Sequence, residues 1–219
     1  MTLQDNLTEE GFGRGEILPT VVCLDCSGSM AEHNKIQSMN DALLKFIETV
    51  RSHDTAREAI DWEFISFQSD AAGKPRIVEH IGEFQRATEP VDLPDLVADG
   101  GTPLAEAVDR ALQKLEAKKK DLKLQGQPHF QPWLVVFTDG MPTSPPDLMK
   151  DVLDRVRQLV KNRGLAVIAV GIGPDAKKEF LAELSPGRAP DMIGDQDIES
   201  YFVKLSDSII QASTGVVLR

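Results

Sequence analysis

Two kinds of apolar spacing alternate along the chain. Residues 18–25, 60–67, 133–139 and 165–172 are short runs of Val, Ile, Leu, Phe and Trp, either unbroken or at every second position, with the length and content of buried strands. Between them, apolar residues recur three and four apart. Ile36, Met39, Leu43, Phe46, Ile47 and Val50 predict a helix starting near Lys35, and Leu104, Val108, Ala111, Leu112 and Leu115 predict one just after Pro103. Pro146 opens a third, with Leu148, Val152, Val156, Leu159 and Val160 facing inward and Gly164 closing it. Ile198, Tyr201, Phe202, Leu205 and Ile209 mark a last helix, and 177–184 a short one. Weaker strand character at 76–80, after the turn-rich 69–75, permits a hairpin and one antiparallel edge strand, and Met192 and Ile193 predict a further edge strand. Residues 86–101, with Asp92, Asp95 and Asp99, read as an irregular solvated loop, and hydrophilic 117–132 as a protruding one. The alternation predicts an α/β, doubly wound, mostly parallel sheet with helices on both faces.

Composition narrows the class. At 219 residues with 41% hydrophobic content, the chain fits one domain with a sizeable core, taken as 17–213 between a leader at 1–16 and a tail at 214–219. The leader has no continuous apolar stretch, so it reads as neither a secretory signal nor a membrane span. A net charge of −11 argues against nucleic-acid or anionic-membrane partners. The basic run Lys118, Lys119 and Lys120 is expected at a helix end, offsetting the dipole. Cys23 and Cys26 form a lone Cys-x-x-Cys better read as a core residue and a spacer than as a redox pair, which suits a reducing cytoplasm.

The chemistry gathers at strand ends. The strand at 18–25 stops on Asp25-x-Ser27-x-Ser29, and the strand at 133–139 stops on Asp139-Gly140. In open parallel sheets the crevice beyond such ends is where ligands bind. Placed on neighbouring strands, Asp25 and Asp139 would repel each other, and a divalent cation would neutralise both. Ser27 and Ser29 can face one centre, with Gly28 easing the backbone between them, and Thr102 follows two glycines in an adaptable loop. Three hydroxyls and two carboxylates leave about one vacant position in an octahedral Mg²⁺ shell, suited to a carboxylate from a partner protein. The plainer alternative is that Asp25 and Ser27 only cap the following helix.

Asp25-x-Ser27-x-Ser29, Thr102 and Thr138-Asp139-Gly140 resemble the metal-ion-dependent adhesion site of von Willebrand factor type A domains, in that family's order and approximate spacing. The resemblance runs from about Leu18 to Ser213. It implies a Rossmann-like six-stranded sheet of order 3-2-1-4-5-6 with one antiparallel edge strand. It also implies Mg²⁺, or Mn²⁺ or Ca²⁺ in its place, held directly by Ser27, Ser29 and Thr102 and mainly through waters by Asp25 and Asp139. The resemblance further implies a module of the kind that usually binds other proteins and is not an enzyme. Asn40 within 36–43, Gly100-Gly101-Thr102-Pro103-Leu104 and residues 137–143 further resemble the bacterial TerY-like (tellurium-resistance) subgroup. That subgroup implies a cytoplasmic setting in a stress-response or phage-defence system, with a kinase or phosphatase of the same system as candidate partner, and the chain is expected to be a monomer. Cys26 at a spacer usually occupied by Thr, Val or Arg is a departure from the family pattern.

Two rival readings remain. A Mg²⁺-dependent phosphoryl transferase could use Asp25 as nucleophile, but position 27 is Ser where such enzymes carry a second acid, and no lysine sits at a comparable strand end. A metal-free acidic scaffold would keep the fold without the ion. Serine-hydrolase and P-loop motifs are missing, and His33, His53, His80 and His129 fall in loop-like contexts.

Overall fold

The computed structural model describes residues 15–213. The elements follow in the order β1 (Leu18–Asp25), a 3₁₀ turn (Gly28–Asn34), α1 (Lys35–Ser52), α2 (Asp54–Ala59), β2 (Ile60–Ser69), β3 (Pro75–Glu79), β4 (Gln85–Arg86), α3 (Leu104–Leu124), β5 (Trp133–Thr138), α4 (Pro146–Lys161), β6 (Ala166–Ile172), α5 (Lys178–Leu184), β7 (Asp191–Ile193) and α6 (Ile198–Ser213). One sheet runs β3-β2-β1-β5-β6-β7, parallel from β2 to β7, with β3 antiparallel at its edge. The expected winding is present, with one addition: two-residue β4 also pairs antiparallel with β2, beyond the end of β3.

The central strands are buried on both faces, as parallel strands between helix layers must be. Val22 and Leu24 of β1 join Phe64, Phe137 and Val170 under α1 and α6, whereas Val21 and Cys23 join Ile65, Val136 and Ala169 under α3 and α4. This period-two division makes a single sheet the floor of two cores. On the first face Phe137 and Phe202 stack at 4.6 Å between centroids, which presses α6 onto β5.

Helix α3 departs from expectation. It continues through the three lysines to Leu124, so 117–132 does not protrude and the lysines lie inside the helix. The apolar stripe carries on at buried Leu122, seven residues after Leu115. Lys118 meets the buried Asp61 carboxylate at 2.6 Å. The stop comes at Gly126, φ 64, with the Gln127 amide donating to Leu122 O at 2.8 Å, a Schellman ending. Helix α4 ends in the same way with Arg163 in the left-handed position and the Gly164 amide on Leu159 O, so the residue with the unusual backbone is Arg163, not Gly164. After α3 the chain returns beside the start of β1, where the Phe130 amide donates to Ile17 O at 2.8 Å and the Ile17 amide to Pro128 O at 3.0 Å. Gly15, Ile17 and Ser213 line one shared hollow at that end of the sheet.

Among the described residues no helix is long and apolar enough to cross a membrane. The expected leader, apart from Gly15 and Glu16, and the expected tail lie outside the described residues.

Candidate metal centre

Strands β1 and β5 are parallel neighbours, Leu24 opposite Phe137, at the point where the winding reverses. Their ends therefore open a crevice, and each strand delivers an acid to it. Asp25 and Asp139 are both buried. Asp25 Oδ1 accepts the Ser27 amide at 2.8 Å, which turns the chain back on itself, and Oδ2 accepts the Thr138 hydroxyl at 2.6 Å, which ties the end of β1 to the end of β5.

That arrangement separates capping from site-building. Ser27 precedes the 3₁₀ turn, yet its side chain makes no capping bond. Its Oγ lies 3.1 Å from Ser29 Oγ, and Ser29 donates to Asp139 Oδ1 at 2.7 Å. Thr102 arrives on the loop between β4 and α3. Gly28 N donates to Gly100 O at 2.9 Å, Ser69 N to Gly101 O at 3.1 Å, and Gly101 N to Ser69 Oγ at 2.6 Å, so the loop is pinned to the 3₁₀ turn that follows β1 and to β2. Gly100 is required there: its φ is +63°, and a Cβ would stand 1.9 Å from Ser69 O. A methyl on Gly140 would lie 3.9 Å from Thr102 Oγ1 and 4.0 Å from Ser29 Oγ, so both hydroxyls flank the same glycine. All five side chains singled out in the sequence thus converge on one crevice. Among the described residues no three His, Cys, Asp or Glu side chains gather closely enough to hold a metal by themselves, so a cation here depends on the hydroxyls.

Burial pushes the Asp25 carboxyl up to about 6, against the opposing hydrogen bonds from Thr138 and Ser27, and the nearby Asp139 charge adds to the rise. The Cys23 and Cys26 thiols are free and buried, and desolvation raises both well above the ordinary thiol range, which suits packing residues better than a reactive pair.

Three further residues shape the site. Thr138 holds Asp25, as described. Asn40 of α1 forms a reciprocal pair with the backbone of Leu96, donating to its carbonyl at 3.0 Å and accepting its amide at 2.9 Å, and so suspends the Thr102 loop from α1. Lys35 is the third: buried at the start of α1, its Nζ donates to Asp139 Oδ2 at 2.5 Å. No lysine stands at a strand end here, as the sequence predicts, yet one reaches the acids from the start of a helix. Its sequence signal was slight, a lone lysine leading an amphipathic helix just after the serine turn.

The von Willebrand factor type A domain model matches residues 20–211. The chain belongs to that family. No curated protein matches it significantly in sequence. Solved structures with the same fold include the pilus adhesin SpaC from Lactobacillus rhamnosus GG, in its open conformation, at TM-score 0.67 and 14% identity over 91% of this chain and 31% of the adhesin. A von Willebrand factor type A protein from Catenulispora acidiphila gives TM-score 0.64 and 16% identity over 89% of this chain and 43% of that one. Proximal thread matrix protein 1 of the mussel byssus, in a form with a zinc-occupied adhesion-site motif, gives TM-score 0.57 and 13% identity over 90% and 48%. The chain spans about a third of the adhesin and under half of the other two. At such identities the likeness establishes the fold alone.

Proposed function

We propose that this von Willebrand factor type A domain is a metal-dependent protein-binding module, in which Asp25, Ser27, Ser29, Thr102 and Asp139 hold one divalent cation, Mg²⁺ in the first instance, and an acidic side chain of a partner protein completes its shell. The observation that carries the reading is the run of uncapped oxygens from Ser27 through Ser29 to Asp139. Their separations of 3.1 and 2.7 Å resemble those of neighbouring oxygens around an octahedral Mg²⁺ with bonds of about 2.1 Å, which stand about 3.0 Å apart. The donors are all hard oxygens, as such an ion requires. A bound cation supplies a vacant electrophilic position to the incoming carboxylate. Asp25 orients the serine turn and Thr138, both its oxygens being engaged, which suits a role through water rather than direct ligation. The zinc in the byssus protein's motif supports a divalent ion at this kind of site.

Catalysis is not part of the proposal. Asp25, the nucleophile of the phosphoryl-transfer alternative, is fully buried with both oxygens bonded, a poor position for in-line attack. A cytoplasmic TerY-like setting, with a kinase or phosphatase as partner, rests on the sequence resemblance at Asn40, Gly100 to Leu104 and Phe137 to Thr143.

Isothermal titration of the wild type with Mg²⁺ and Mn²⁺ tests the site. One-to-one binding that Ser27→Ala and Thr102→Ala each weaken at least about tenfold, with unchanged circular dichroism, is expected. A wild type that binds neither ion leaves the metal-free scaffold as the better reading. Pull-downs with and without chelator then test whether partner capture needs the ion.

A further inference from the structure

Lys35 is not one of the five motif residues, yet its charge is buried in the same crevice. Its side chain is 4% exposed and its ammonium sits against an Asp139 oxygen, 104 positions away in sequence. A buried lysine persists where its charge is paired, because desolvating a lone ammonium is costly. The chain also adopts an unfavourable turn to deliver it. His33 and Asn34, immediately before it, are both left-handed, with φ 50 and 62, and His33 Nδ1 lies 2.7 Å from Asp195 Oδ2, anchoring the turn.

The inference rests on the metal reading above. We propose that Lys35 is a resident counter-cation of the site: it holds Asp139 in place when no divalent ion is bound, weakens divalent binding by its own charge, and leaves the loaded crevice electropositive toward an acidic partner. The charge count gives the logic. Two carboxylates and one ammonium present a net single negative charge to the incoming ion, and the loaded site then carries one net positive charge. Without the lysine the empty site would be doubly negative and the loaded one neutral. The lysine thus shifts selectivity from holding metal to holding the partner's carboxylate.

Three forms of the full chain decide it: wild type, Lys35→Gln, which keeps a donor for Asp139 without the charge, and Lys35→Arg, which keeps the charge. Mg²⁺ titration is expected to show Lys35→Gln binding about tenfold or more tightly than wild type, with Lys35→Arg close to wild type. In chelator, Lys35→Gln should melt below wild type and recover more than wild type when Mg²⁺ is added. With protein in excess so that all Mn²⁺ is bound, acetate serves as a minimal carboxylate, and its methyl resonance should broaden less with Lys35→Gln than with wild type. Equal or weaker Mg²⁺ binding by Lys35→Gln overturns the inference while leaving the metal site intact, and unchanged acetate broadening overturns its partner-selecting half. Metal binding by Lys35→Gln alone supports it. If none of the three forms binds metal, the parent reading fails and this one with it.

Discussion

Replacing Asn40 with alanine tests how much the Leu96 part of the Thr102 loop depends on one side chain. Asn40 is buried and meets both the amide and the carbonyl of Leu96, itself buried. Truncation removes two hydrogen bonds and strands two backbone groups, each worth about 1–3 kcal/mol when left unsatisfied. Alanine recovers roughly 0.6 kcal/mol through its better helix propensity within α1. Water reaching the gap would satisfy part of the rest, which sets the net loss at about 2–4 kcal/mol. Urea unfolding followed by circular dichroism reads this directly, provided the slope with denaturant stays constant. Metal affinity should drop as well, by less than stability does, because Leu96 lies on the loop that carries Thr102 while the bonds of Gly28 and Ser69 to Gly100 and Gly101 remain. Asn40→Asp separates the two halves of the pair: it keeps the acceptor for the Leu96 amide but sets a carboxylate against the carbonyl, so it should be destabilising at neutral pH and milder in acid. A loss under about 0.5 kcal/mol for Asn40→Ala, with unchanged metal binding, would refute the claim that this pair supports the loop.

Two other outcomes follow from the same geometry. Because the Asp25 carboxyl is raised to about 6 in the folded protein from 3.8, the metal-free fold retains a proton that the unfolded chain has already released between those values. Its stability should fall by up to about 3 kcal/mol as pH rises from about 4 to 6, and Asp25→Asn should flatten that part of a urea-midpoint profile measured in chelator. Mg²⁺ competes for the ionised form, so its affinity should decline below about pH 6. Gly100→Ala, which drives a Cβ to 1.9 Å from Ser69 O, should cost about 3 kcal/mol or more, whereas Gly73→Ala, at φ +77 with open space around it, should cost only about 1 kcal/mol. Equal losses in the two variants would mean that backbone conformation, and not the contact with Ser69, governs Gly100.

What could be read from the chain was local. The strands ending on Asp25 and Asp139 announce themselves through uninterrupted apolar runs, and once two such strands are neighbours the acids must meet. Thr102 was recognisable from its paired glycines, whose function in the fold is to let the loop pass against Ser69 and Gly28. The Lys35–Asp139 pair left no local mark, since neither position has any pattern pointing to the other. The extent of α3 is hidden for a related reason: three lysines in succession look like solvent, the apolar stripe continues only at Leu122, and the partner of Lys118, Asp61, stands on a different element. Strand β4 and helix α2 are too short to have a period.

Gly15 and Ser213 border the same hollow, at the amino end of a β1 that is eight residues, or about 26 Å, long. Both covalent exits from the described fold thus start on the side facing away from the crevice. An attachment made at Gly15 or Ser213 would therefore lie on the far side of the sheet from the strand ends that carry Asp25 and Asp139.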